Sequence, residues 1–333
     1  MEFIASRKCL DKIHESKTYL RENPVKVQSS LIFQANTDIE LYLSQKSSLG
    51  RIVDSMQYLT LKMISNKVMT VKRKSEYNVK IPSDKDQICS ITGICSLPSG
   101  HVIIADYKNK QVKLLDKSYN VSSHWDVSTD VSSFPCDFCQ ITSSEVAVTL
   151  DTAGVQFISI RNGQLVNGRK LQLPHNAVGI AHQQGALYIT SRTALYHYTL
   201  TGTHVKKLYE DTRGSCTVFK CALSPDGEQI FVTNYTYNKL FTLAKNGALL
   251  STFTNSDLQQ PYGLHVTPTG QVLVCGFTSN TVIQVNHKGK KKLATLASKD
   301  GVSKPVSVCY NTNTDQVIVG LDDNNKMIVM DLQ

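Results

Sequence analysis

A short pattern recurs six times along the chain: a turn of small or polar residues followed by four or five consecutive apolar residues. It appears as PSGHVIIAD, SSEVAVTL, QQGALYITS, PDGEQIFVTN, PTGQVLVCG and NTDQVIVGL. A polar turn before such a run predicts a β-strand that enters a sheet through a tight bend. The turn anchors recur every 41 to 45 residues, at Gly100, Ser144, Gly185, Gly227, Gly270 and Asp315.

Proline and asparagine keep the phase of this repeat. Proline precedes four anchors, at Pro135, Pro174, Pro261 and Pro305, and asparagine precedes a second apolar run at Asn109, Asn238, Asn280 and Asn325. A period in the low forties that holds four short strands is the signature of a β-propeller blade. The apolar runs are continuous, as expected of strands covered on both faces. The sequence therefore predicts an all-β, six-bladed propeller.

The sixth repeat reaches the end of the chain with only three predicted strands. An unpaired outer edge would expose a row of backbone donors and acceptors. A β-like segment, EYNVKI at 76–81, precedes the first repeat and belongs to none of the six. We predict that residues 76–81 close the sixth blade.

The first 74 residues follow other patterns. Phe3, Leu10, Ile13 and Leu20 form a heptad seam with charged residues around it, as in the tail of a coiled coil. A second helix is predicted from Thr37 to Gly50. The predicted domains are a helical coiled-coil tail at 1–50, a connector at 51–74 that ends in a basic run, and the propeller at 75–333.

Composition describes an ordinary globular chain, with 41% hydrophobic residues. No apolar run approaches the roughly 20 residues that span a bilayer, and the charged start MEFIASRKCLDKIHES does not resemble a signal peptide. We therefore expect a cytoplasmic protein with no membrane partner.

The nine cysteines are an odd, scattered set that suits no disulfide framework. Only Cys136 and Cys139 have a spacing that suggests metal or redox chemistry, and zinc would need a second such pair. We predict packed strand thiols at these two positions, with no metal and no cofactor.

Six blades with asparagine before the third strand resemble the NHL propeller. The stretch FIASRKCLDKIHES, followed by LIFQANTDIELYLSQKSSLGRI, is similar to the end of the B-box and coiled-coil region of tripartite-motif proteins, particularly the invertebrate NHL set. The resemblance covers nearly the whole chain, although Ser144 and Asp315 replace the turn glycine and no copy contains a literal Asn-His-Leu.

The resemblance implies a role related to ubiquitin ligation, but these residues contain neither the RING nor the B-box. Ligase activity is therefore not expected of them. Pairing of the predicted coiled coil in a homodimer would place two propellers in one particle.

An enzymatic propeller would carry polar ligands from several blades at its axis. The nearest candidates, Asp106, Asp151 and Asn234, do not share a position across the repeats. We therefore expect no catalytic residue and no enzyme activity.

A binding surface is predicted where the loops between second and third strands meet the segments that enter each blade. It would gather Tyr107, Lys108, Lys110, Arg192, Tyr235, Tyr237, Lys239, Tyr262 and Phe277. Aromatic and basic side chains in such a mixture suit a protein interface, and they also suit RNA. Tyr107 and Tyr235 equally fit a third role, which is to pack the bend between two strands.

Charge bears on the choice between a protein and RNA. The chain carries a net charge of +9, but residues 91–333 have 21 basic and 17 acidic groups, or +4. Nucleic-acid binders usually concentrate more charge than this. The sequence thus favours a non-catalytic protein-recognition domain, with an RNA-binding post-transcriptional regulator as the alternative. The resemblance implies that this domain belongs to a ubiquitin-ligase-related protein.

Overall fold

Six four-stranded antiparallel sheets make up the part of the chain that the computed structural model describes, residues 67–127 and 133–333. Blade 1 contains β2 (Ile91–Ser96), β3 (Val102–Asp106), β4 (Gln111–Leu115) and β5 (Val121–Asp126). Blade 2 contains β6 (Asp137–Gln140), β7 (Glu145–Thr149), β8 (Val155–Arg161) and β9 (Gln164–Leu171). Blade 3 contains β10 (Ile180–Gln183), β11 (Ala186–Thr190), β12 (Ala194–Thr199) and β13 (His204–Glu210).

Blades 4 to 6 follow in the same order. Blade 4 contains β14 (Cys221–Leu223), β15 (Gln229–Asn234), β16 (Lys239–Ala244) and β17 (Leu249–Phe253). Blade 5 contains β18 (Pro261–Val266), β19 (Val272–Gly276), β20 (Thr281–Val285) and β21 (Lys292–Ala297). Blade 6 contains β22 (Pro305–Asn311), β23 (Gln316–Leu321) and β24 (Lys326–Leu332), and β1 (Val71–Asn78) is its fourth strand. The innermost strands contact one another in sequence and β22 contacts β2, so the ring is closed. The predicted six-bladed propeller is confirmed.

The core consists of six apolar clusters, each between two neighbouring blades. All five residues of β3, β4, β19 and β20 are buried, because a blade covers each face of these strands. The outermost strand β5 instead alternates partly buried and exposed positions. Burial on both faces explains why the apolar runs of the sequence are continuous.

Glycine is required at the turn between the first and second strands in four blades. Gly100 and Gly227, for example, have φ angles of +86° and +76°, a conformation that costs glycine little. Asp315 tolerates the same region at +53°. The backbone at Ser144 is not left-handed, which is why this copy does not need the glycine.

The strand that closes blade 6 begins earlier than predicted. β1 runs from Val71 to Asn78 and pairs with β24, from Val71 opposite Leu332 to Asn78 opposite Lys326. The predicted strand at 76–81 therefore begins five residues too late and ends three residues too late, and the predicted connector at 51–74 overlaps the first four residues of β1. The basic run at 72–74 lies inside the strand, because the outward side of an edge strand is solvated and tolerates charge.

The residues just before β1 are bound to blade 5. The carbonyl oxygen of Lys67 accepts hydrogen bonds from Nε2 of Gln271 (2.7 Å) and of Gln284 (2.8 Å), and the amide of Met69 donates to Oε1 of Gln284 (2.9 Å). Both glutamines are buried. The predicted coiled-coil tail at 1–50 and the connector up to residue 66 lie outside the described residues.

Among the residues that the structure describes, no helix is long and apolar enough to cross a bilayer.

His265 gives the fold a specific dependence on pH. It lies in the innermost strand β18, opposite Leu273, and burial lowers its pKa to about 4. An unfolded histidine has a pKa near 6.5 and binds a proton more readily, so this contribution to stability is present above pH 6.5 and is lost as the pH falls toward 4. His265 is only partly buried, so the stability lost between pH 7.5 and pH 5 should be smaller in His265→Gln than in the parent by at most about 2 kcal/mol. Urea unfolding at both pH values measures this, and an unchanged pH dependence in the variant would contradict it.

Candidate functional site

One residue per blade occupies an equivalent place just after the second strand. These six residues are called the rim ring. They lie seven residues after each anchor, or eight after Gly227: Tyr107, Asp151, Arg192, Tyr235, Phe277 and Asp322. In four blades their backbone amides donate to the segment that enters the same blade, over distances of 2.8 to 3.1 Å. The carbonyls of Asp151 and Arg192 instead accept from Ala177 and Val218 of the next blade, both at 2.8 Å. The backbone of every rim position is therefore held in place.

Three predicted site residues lie together as the aromatic trio: Tyr235 and Phe277 of the rim ring, and Tyr262 of β18. Their ring centroids are 6.1, 6.5 and 6.2 Å apart, and all three side chains are partly exposed. Buried Phe219 packs edge-on against Tyr262 at 4.7 Å. Burial raises the pKa values of both tyrosines, so their hydroxyls stay protonated. The trio thus places three mutually inclined, partly exposed aromatic rings next to one another.

Tyr107 lies in a second aromatic contact. Its ring stacks on Phe134 with centroids 4.5 Å apart, and Nζ of Lys110 lies 4.4 Å from the centroid of Phe134. Both rings are partly exposed. The packing role considered for Tyr107 is thus present, together with an exposed aromatic face.

Acidic neighbours bind two of the predicted cations. Arg192 donates to Asp151 at 2.9 Å, across two adjacent rim positions. Lys108 pairs with Asp323, which also binds Lys304 at 2.6 Å. Hydrogen bonds from the two lysines lower the pKa of Asp323 to about 2, so it stays ionised. This part of the surface consequently has little surplus positive charge.

The remaining two predicted residues lie away from the rim ring. Tyr237 is 41% exposed and its hydroxyl donates to the carbonyl of Arg213 at 2.7 Å. Lys239 is the first residue of β16, and its Nζ lies 5.9 Å from the centroid of Tyr237. They form a peripheral pair on the loop of blade 4.

Lys220 connects three blades at the starts of their innermost strands. Its side chain is buried, and Nζ donates to the carbonyls of Thr92 in blade 1 and Cys136 in blade 2, at 3.2 and 2.5 Å. Asp137 lies 3.5 Å away, and burial raises the pKa of this carboxyl despite the lysine. Lys220 belongs to blade 4, opposite blade 1, so its side chain spans the centre of the ring.

Asp84, Cys89 and Asp106 are close enough to suggest a cation site. The ammonium of Lys113, however, lies 2.8 Å from both carboxylates and is fully buried with them. Burial raises the pKa of the Cys89 thiol, which opposes the thiolate that a metal would need. These residues therefore fit an internal ion pair with Lys113 rather than a cation site. Asp106, one of the residues considered for catalysis, is a member of this ion pair.

Cys136 and Cys139 are both buried and free, as predicted for packed thiols. Burial raises the pKa of Cys136 to about 12, so it is unreactive as a nucleophile near neutral pH.

The sequence did not indicate Asp322, Phe134 or the buried Lys220, and it indicated Asp151 only as a catalytic candidate. The spacing of seven residues from each anchor would have identified the two aspartates. No comparable signal exists for Phe134 or Lys220, because they lie in entering segments of variable length.

Comparisons with solved structures agree on the fold. Virginiamycin B lyase from Staphylococcus aureus is 13% identical, with a TM-score of 0.57 over 78% of this chain and 99% of its own. A calcium-binding regucalcin from Agrobacterium tumefaciens is 15% identical, with a TM-score of 0.57 over 74% and 92%. An auxiliary nutrient-binding protein from Bacteroides thetaiotaomicron is 12% identical, with a TM-score of 0.59 over 78% and 77%. At these identities the likeness concerns the fold alone.

Sequence comparison is more specific but local. No curated protein matches the chain significantly. Residues 89–113 match the NHL repeat. They cover the end of the segment that enters blade 1, its first two strands, and its third strand as far as Lys113. This chain therefore contains an NHL repeat within a six-bladed β-propeller.

Proposed function

We propose that the propeller is a non-catalytic protein-recognition domain and that its partner binds the rim ring and the aromatic trio. The observation that carries this proposal is the pairing of charges around exposed aromatic rings. Arg192 is bound to Asp151 and Lys108 to Asp323, while the trio remains partly exposed. Aromatic side chains with few unpaired charges are typical of the centre of a protein interface.

The same pairing argues against RNA as the preferred partner. RNA binding through the backbone requires cations that release counterions from phosphates, and here two of the predicted cations already neutralise carboxylates. The aromatic rings could still stack bases. RNA is therefore the alternative that the experiment must distinguish.

Catalysis is not part of this proposal, although three of the similar structures are lyases by name. Two of the residues considered for catalysis are committed to structure, since Asp106 binds Lys113 and Asp151 binds Arg192. The third, Asn234, is buried and its side-chain oxygen accepts from the backbone amide of Tyr237.

The wider setting that we propose is a cytoplasmic protein of the tripartite-motif NHL type, related to ubiquitin ligases. The NHL match at 89–113 supports the NHL part of this setting. The N-terminal heptads support dimerisation, which would raise the avidity for a multivalent partner.

Capture from cell lysate with the full chain as bait tests the proposal. We expect specific proteins to be retained after ribonuclease treatment. Replacing Tyr235 and Phe277 together with alanine should weaken the capture at least tenfold, because aromatic anchors commonly contribute about 2 kcal/mol each.

Tyr196→Ala is the matched control, since Tyr196 stacks on His175 in blade 3, outside the rim ring. The control should retain binding, and both variants should melt as the parent does. Loss of all captured material on ribonuclease treatment, with a steep dependence on salt, would replace the proposal with RNA binding. Unchanged capture by the double variant would remove the rim ring as the site.

A further inference from the structure

The aromatic trio has a geometry that suits a cation. The three centroid distances of 6.1, 6.5 and 6.2 Å define a nearly equilateral triangle, whose centre is about 3.6 Å from each centroid. A cation about 4 Å above that centre would lie about 5.4 Å from every ring. This is within the roughly 6 Å over which a cation is attracted to an aromatic ring.

The rings are also tilted rather than coplanar. Tyr235 and Tyr262 are almost perpendicular, at 87°, and Phe277 makes angles of 44° and 42° with them. The three ring planes therefore have different inclinations. Buried Phe219 packs against both tyrosines and supports them.

An available carboxylate occupies the next rim position. Asp322 follows Phe277 around the rim ring, and its backbone is fixed by a 2.9 Å hydrogen bond from its amide to the carbonyl of Lys304. Its Oδ1 accepts from Oγ of Ser90 at 2.6 Å. Lys108 and Lys304 donate to Asp323, and both also lie within electrostatic range of Asp322. The second carboxylate oxygen of Asp322 has no hydrogen-bond partner among the described residues and can accept a hydrogen bond from a ligand.

We propose that the aromatic trio and Asp322 bind a cationic side chain of the partner, a lysine, an arginine or a methylated lysine. This inference rests on the proposed function and specifies the chemistry of its anchor. Cation–π attraction provides roughly 0.5–2 kcal/mol and increases as the site is desolvated. The carboxylate adds charge complementarity and selects against anionic and neutral groups. The preference is opposite to that of a phosphate-binding surface.

A pair of small probes separates charge from shape. Choline carries a trimethylammonium group, and 3,3-dimethylbutan-1-ol is its neutral isostere. Each would be titrated into the full chain with 13C-labelled tyrosine rings, whose signals are assigned with Tyr235→Phe and Tyr262→Phe. We expect choline to shift the signals of Tyr235 and Tyr262, and the isostere to bind at least fivefold more weakly.

Asp322→Asn should weaken choline binding about threefold or more, whereas Asp323→Asn is the matched control and should leave it unchanged. Phe277→Ala should abolish the shifts in a protein that melts normally. Equal binding of the two probes would show a merely apolar pocket and overturn the inference. An absence of shifts at Tyr235 and Tyr262 up to 50 mM choline, or equal effects of the two aspartate variants, would also overturn it.

The outcome is independent of the lysate experiment. Choline binding without capture at the rim ring would contradict the proposed function and leave a cation site. Capture that depends on the rim ring, without choline binding, would keep the proposed function and reject the cationic anchor.

Discussion

Replacing Lys113 with alanine is expected to destabilise the propeller by about 3–5 kcal/mol, as is typical when one partner of a buried ion pair is removed. The ammonium lies 2.8 Å from a carboxylate oxygen of both Asp84 and Asp106, and all three side chains are completely buried. It also donates to the carbonyl of Val79 at 3.0 Å. Burial alone would lower the pKa of Lys113, but the two carboxylates outweigh it and raise the pKa, so the lysine remains charged.

The melting temperature should fall by about 10 °C, given a few degrees per kcal/mol for a domain of this size. Lys326→Ala is a suitable control because it breaks an exposed ion pair with Glu76 and should cost less than about 1 kcal/mol. Neutralising the whole group, with Lys113→Met, Asp84→Asn and Asp106→Asn, should recover part of the loss, because no unpaired charge is then buried. A melting temperature within 2 °C of the parent for Lys113→Ala would show that the pair is dispensable.

Blocking the closing strand is expected to have the second large effect. Replacing Lys74 and Ser75 together with proline should open blade 6. Alternate residues of an antiparallel edge strand donate their backbone amides to the neighbouring strand. One of these two residues must therefore lose a hydrogen-bonded amide, because proline has no backbone N–H. Their partners in β24 are Met330 and Val329. Detachment of β1 would expose the edge of β24 and a mostly buried run of apolar residues.

We expect a fall of about 10 °C or more in melting temperature and aggregation on concentration, measured by thermal unfolding and light scattering. The variant with alanine at the same two positions is the control, since it keeps both amide donors. If the proline variant melts like the alanine variant, closure by β1 does not stabilise the ring.

The sequence predicted the existence of the edge strand β1 but not its position. That the N-terminal part must close the sixth blade followed from counting strands, since the last repeat had only three. The position of the strand did not follow, because an edge strand is half exposed and carries no apolar signal. Only the last residues of β1, from Glu76 to Asn78, lie in the segment that looked β-like. The basic residues before them looked like a linker until their pairing with β24 was visible.

The burial of Lys113 could not be predicted from the sequence for a related reason. In the run QVKLL a lysine looks like the solvent-facing residue of a strand, yet it is among the largest fully buried side chains of the described residues. Two of the groups that bind it, the carbonyl of Val79 and the carboxylate of Asp84, lie 34 and 29 residues away along the chain. No local sequence pattern predicts a hydrogen-bond partner at such a separation along the chain.

The sequence by itself determined the number of blades, the turns that need glycine and the order of the strands, because each blade depends on local signals that repeat at one period. It also indicated the loops that would form the proposed binding surface. Tertiary structure alone decided which loop residues remain available. Arg192 meets Asp151, and Tyr235 meets Phe277, only because equivalent positions of neighbouring blades become adjacent when the ring closes. Pairing of this kind depends on distances across the ring, and those distances are set by the packing of whole blades.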